Sequence, residues 1–62
     1  MDELLNMSAA DRAAAVAAMS DAELIAAADG RSVKRVRGRK QALAVIALEV
    51  EIYEAARHAG IH

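Results

Sequence analysis

Cysteine, proline, phenylalanine and tryptophan are all missing from this 62-residue chain, and Tyr53 is its sole aromatic residue. No disulfide can staple the fold, and no thiolate can hold a metal. Without proline, no residue here forces a helix to break. No uncharged apolar run is longer than residues 42 to 48, which fall far short of the ~20 residues needed to span a bilayer, so no membrane partner is expected. The opening MDELLNM is acidic, where a secretory leader would be basic, and the chain reads as soluble and cytoplasmic. Domains this small bury only about 60% of the surface exposed on unfolding. They lean on disulfides, metals or a partner chain, and association is the support left open here.

What is present favours helix: abundant alanine, the best helix former, and only three glycines. An all-α fold follows. Met7 to Asp11 (MSAAD) and Met19 to Glu23 (MSDAE) repeat one device: an apolar residue, a serine N-cap and an acid three residues later. Each reads as a capping box, and Met19 with Leu24 as a hydrophobic staple. Helices are expected at about 9–18 and 21–28, the second closed by a left-handed Gly30, with room for one more turn at 2–6. A third, long helix starts either at Ser32 or after Gly38 and runs to about 59, with Gly60 just beyond it.

At 100° per residue, Leu43, Ile46, Val50 and Tyr53 share one face of the long helix, while Val45, Leu48, Ile52 and Ala56 fall nearly opposite. Two apolar faces require two partners. The alanine-rich N-terminal helices can cover one. The Val45, Leu48, Ile52 and Ala56 face is expected to mediate self-association as a symmetric homodimer, unless both short helices wrap the third. The expected architecture is two short helices packed on one long one, as a single domain over 1–62 that pairs as a helical dimer.

Charge is segregated although the formal net charge is only -1. Six acids against Arg12 give residues 1–30 a charge of -5. Arg31, Lys34, Arg35, Arg37, Arg39 and Lys40, six of the eight basic residues, crowd into 31–40. One reading is a solvated segment that pairs with the acidic N-terminal part. The other starts from the mutual repulsion of these charges and makes a polyanion the partner, since Lys and Arg contacts to phosphate supply most non-specific nucleic-acid affinity. In Arg37-Gly38-Arg39, glycine permits close backbone approach while both guanidinium groups enter a narrow groove.

Glu23 to Ile46, ELIAAADGRSVKRVRGRKQALAVI, resembles the DNA-binding module of actinobacterial H-NS-like nucleoid proteins, in which a short helix ends at glycine, a loop carries R-G-R and another helix follows. Ala26, Gly30, Val33, Arg37, Gly38 and Arg39 match that pattern. The chain departs from it by one extra loop residue, by Lys40-Gln41 where an apolar residue and proline are usual, and by the lack of an aromatic anchor on the first helix. The resemblance implies minor-groove contacts from Arg37 and Arg39. A helix-turn-helix over Ala22 to Arg39, with Ala26, Gly30 and Val36 at the small, turn and buried positions, fits less well, because Arg31 and Arg39 stand where apolar residues are wanted.

Catalysis finds no constellation: Ser8, Ser20 and Ser32 read as N-caps, and no histidine lies near them in sequence. Glu54, His58 and His62 have i, i+4, i+8 spacing, but Gly60 interrupts it, so neither metal nor cofactor is expected. The leading expectation is therefore a non-enzymatic DNA-binding regulator of phage or actinobacterial type, acting through Arg31, Lys34, Arg35, Arg37, Gly38, Arg39 and Lys40. The competing expectation is a helical interaction module, or phage-type inhibitor, that grips an acidic protein partner.

Overall fold

Ser8 and Ser20 each start a helix by taking up a backbone donor that the first turn leaves free. Ser8 Oγ accepts from the Asp11 N–H at 3.1 Å, and Ser20 Oγ accepts from the Glu23 N–H at 3.2 Å. Only the second site is a complete capping box, in which Glu23 Oε1 accepts from the Ser20 N–H at 2.9 Å. The first is half-formed: Asp11, one methylene shorter than glutamate, makes no return bond to Ser8.

The structure, a computed structural model, describes residues 1–60. Among them lie four helices: α1 (Asp2–Asn6), α2 (Ala9–Ala18), α3 (Asp21–Asp29) and α4 (Arg39–His58). No strand occurs among the described residues, so the fold is all-α, with the long last helix packed on the others. No helix is long and apolar enough to cross a membrane.

The conformation at Gly30 differs from expectation, and the start of α4 is decided between the two alternatives in favour of Gly38. Gly30 ends α3 in the right-handed region, at φ -69° and ψ -13°, because the chain continues into a further turn in which the Arg31 N–H donates to the Ala28 carbonyl at 2.9 Å. The left-handed glycine is Gly60, at φ 80°. Ser32 starts no helix. Its Oγ accepts from the Lys34 N–H at 3.2 Å, and the chain stays irregular until Gly38 caps α4. The recognition helix that a helix-turn-helix would place from Ser32 is absent.

Leu24, Ala28, Val36, Ala42 and Ile46 form the core cluster, with Met19, Val45 and Val50 partly buried against it. Small residues at 28 and 42 let α3 and α4 approach closely, and Met19 packs on the cluster that holds Leu24, as the staple requires. Helix α1 buries Leu4 and Leu5 and is tied down by polar bonds. Arg12, on α2, donates through Nε to the Leu4 carbonyl at 2.9 Å and through Nη2 to the Met7 carbonyl at 3.0 Å, and lies 3.5 Å from Glu54 on α4. Tyr53 on α4 donates to Asn6 Oδ1 at 3.1 Å, and the Arg57 guanidinium sits 5.8 Å from the centre of its ring.

The molecule measures 35 × 26 × 15 Å. Among the helices, α3 makes the main packing contact with α4. One face is covered over most of its length: Ala42 and Ile46 are buried and Val50 and Tyr53 half-buried, whereas Leu43, expected on the same face, stands at its edge and is 36% exposed. On the other, Leu48 and Ile52 are each 56% exposed.

Candidate nucleic-acid interface

The basic segment is an ordered loop, held by its backbone. Val36 drops into the core, and its N–H donates to Asp29 Oδ1 at 3.2 Å. Gln41, in the first turn of α4, clamps the far side. Its Oε1 accepts from the Arg37 N–H at 2.9 Å, and its Nε2 donates to the Arg35 carbonyl at 3.1 Å. Gln41 stands at the third helical position after Gly38, where a side chain reaches back to satisfy a free donor. The Gly38-x-x-Gln41 spacing carried that signal, and reading Gln41 only as a departure from the nucleoid-protein pattern missed it. Asp29 offers no comparable local signal, since its bond to Val36 reaches seven residues along the chain.

The structure divides the six cations into two groups. Arg31 pairs with Asp2 on α1 at 2.6 Å. Arg39 turns toward the start of α3, where Nη1 donates to Asp21 Oδ1 at 2.8 Å and to the Met19 carbonyl at 3.1 Å. These two do what a solvated segment facing the acidic N-terminal part would do. Lys34, Arg35, Arg37 and Lys40 are exposed, and their side chains form no ion pair among the described residues. Val36 is the apolar pin between them.

Arg37 and Arg39 therefore diverge: the Arg37 side chain has no ion-pair partner among the described residues, while Arg39 is held against α3. Gly38 is extended, at φ -160° and ψ 172°, a conformation any residue adopts, and a Cβ there would meet nothing within 4 Å. The backbone at Gly38 is thus open to close approach from outside. Beside the loop, Val33 projects wholly into solvent and lines an apolar groove with Val45, Leu48 and Ile52.

Of the residues expected to self-associate, Leu48, Ile52 and Ala56 are exposed, while Val45 is half-buried and leans on the chain's own core. No three metal-ligating side chains gather among the described residues, and His62 lies outside them. Comparison with family models, with characterised proteins and with solved structures finds no match to this chain.

Proposed function

We propose that this is a small nucleic-acid-binding protein that grips the phosphate backbone of DNA through Lys34, Arg35, Arg37 and Lys40. The observation that carries this reading is that four cations, three on a backbone-clamped loop and Lys40 in the first turn of α4, have no ion-pair partner among the described residues. A charge cluster kept only for stability would be neutralised by the chain's own acids, as Arg31 and Arg39 are. An ordered loop also loses less conformational entropy on binding than a disordered basic tail would. Gly38, half-buried but with open space where a side chain would stand, lets a duplex reach the loop closely, and Arg37 is the side chain placed to enter a groove. Arg39 joins it only by giving up Asp21.

The test is titration of labelled A·T-rich and G·C-rich duplexes at two salt concentrations. Affinity is expected to fall with salt at a log-log slope of about -0.9 per phosphate neutralised, giving about -3 to -4 for one loop. Arg37→Ala is expected to flatten any A·T preference, whereas Lys34→Ala weakens all sequences alike. Absence of binding at low salt would remove this reading. It would favour an acidic protein partner, for which wholly exposed Val33 beside the apolar groove is the specific support, since buried apolar anchors ringed by charge are what such contacts use.

A further inference from the structure

The uncovered face of α4 has a periodicity its burial does not explain. Val45, Leu48, Ile52, Ala55 and Ala59 alternate steps of three and four residues, the spacing by which one helix seats against another of its own kind. Leu48 and Ile52, the largest of them, are each 56% exposed, and the groove they form with Val33 and Val45 is open. The alanines at 55 and 59 let a second helix come close.

The flanking charges decide which way that helix runs. In an antiparallel pair seating Leu48 on the partner's Ile52, Glu49 would face the partner's Glu49 on one side, and Glu51 would face the partner's Glu51 on the other. Both like-charge contacts would sit near the two-fold axis, where such pairs destabilise. In a parallel, in-register pair, Glu49 lies opposite the partner's Ala44 and Glu51 opposite the partner's Ala56, and no like charges meet along the seam. That arrangement brings together both basic loops, with Lys34, Arg35, Arg37 and Lys40 of each copy at the same end.

We infer that the Leu48 and Ile52 face takes a second copy of this chain with α4 parallel to α4, and that a polyanion bound across the two loops tightens the pair. The ligand half of this inference rests on the phosphate-binding reading above; the parallel seam does not. Repulsion between the loops opposes the dimer in the free protein. Any agent that neutralises the loops favours it, and linkage requires that dimerisation raise phosphate affinity in return.

The chain's lack of cysteine makes the orientation directly readable. In the parallel pair the two residues at position 55 meet across the seam, within the 4.4–6.8 Å Cα separation of a disulfide. In the antiparallel pair they lie about 15 Å apart along the axis, ten residues at 1.5 Å each. Oxidised Ala55→Cys is therefore expected to run as a covalent dimer, and Leu48→Glu in that background is expected to abolish the crosslink while circular dichroism stays helical, because Leu48 is outside the core.

Sedimentation of the uncrosslinked chain supplies the second readout. Raising salt screens the loops, the Debye length falling from about 10 Å at 0.1 M to about 3 Å at 1 M, and is expected to tighten the dimer without any ligand. A short DNA duplex at low salt is expected to tighten it by about tenfold or more. A chain that stays monomeric at tens of micromolar under both conditions would overturn the inference, as would a dimer that does not crosslink through position 55. Crosslinking through position 55 together with tightening by salt, but no duplex binding at all, would uphold the parallel seam and defeat the nucleic-acid reading. Duplex binding that leaves the dimer constant unchanged would defeat the coupling.

Discussion

Arg39 is the first residue of α4, yet its guanidinium is spent at the start of α3, on Asp21 at 2.8 Å and the Met19 carbonyl at 3.1 Å. One side chain thereby closes the α2–α3 corner against the long helix. Its neighbour Arg37 has its backbone N–H held by Gln41 and its side chain left to solvent. The two arginines of Arg37-Gly38-Arg39 thus have different employments.

Stability and binding are accordingly expected to separate between them. Arg39→Ala removes a charge-assisted bond to a carbonyl and a partly exposed ion pair, and should cost roughly 0.5–1 kcal/mol with little loss of duplex affinity. Arg37→Ala should leave the melting temperature unchanged and weaken binding at low salt. Thermal melts and titrations of the two variants check this together, and the reverse pattern would place Arg39 in the contact surface.

Arg12 counts as a single positive charge in the acidic N-terminal segment, but with its side chain only 12% exposed it is the bolt that holds α1. Its planar fork serves the Leu4 and Met7 carbonyls at once, a geometry lysine cannot reproduce. Arg12→Lys preserves the charge and is expected to lose about 1–2 kcal/mol. In a domain of this size that lowers the melting temperature by roughly 4–16 °C, measurable by calorimetry or circular dichroism.

Gly30→Ala is expected to stabilise the fold. Gly30 sits at φ -69° with open space where a Cβ would go, so alanine only narrows the unfolded ensemble, a gain of about 0.4–1 kcal/mol. Gly60→Ala is expected to bring no such gain, since φ there is 80° and a side chain is strained in that region. Chemical denaturation of the two variants distinguishes them.

Glu23 is held below the usual carboxylate range, first by the Ser20 backbone N–H and then by the Ser20 hydroxyl. A carboxylate with its folded pKa depressed contributes stability above its unfolded pKa. That contribution is lost as pH falls through the folded value. Glu23→Gln cannot titrate, so the stability gap between wild type and this variant is expected to be full near neutrality and to shrink as the pH drops through and below the ordinary carboxylate range. Melts from pH 7 down to pH 3 check this, and a gap independent of pH would mean the charge plays no part in the cap.

Local chemistry was legible along the chain wherever cause and effect lie within one turn. Ser8 and Ser20 announced the starts of α2 and α3 because a serine oxygen satisfies a donor three residues on, whatever the rest of the molecule does. The same short reach explains why the start of α4 was left open between Ser32 and Gly38: both offer a plausible cap. The choice fell to Val36, whose burial against Leu24 and Ala28 needs an irregular segment before the helix, and to Asp29 and Gln41, which hold that segment from opposite sides.

The sequence by itself determined that the chain is helical, where its short helices begin, and that six positive charges stand in one decade of residues against an acidic N-terminal half. Periodicity also marked two apolar faces on α4 without ranking them. Only the tertiary structure decided that the Ile46 and Val50 face is covered and the Leu48 and Ile52 face is not, because α3 and the core cluster pack on the side of α4 that carries Ala42 and Ile46 and leave Leu48 and Ile52 exposed. It also decided which cations are committed and which are free. The pairs Arg31 with Asp2 and Arg39 with Asp21 join residues 29 and 18 apart in sequence, a separation no local spacing rule spans and only the folded chain can close.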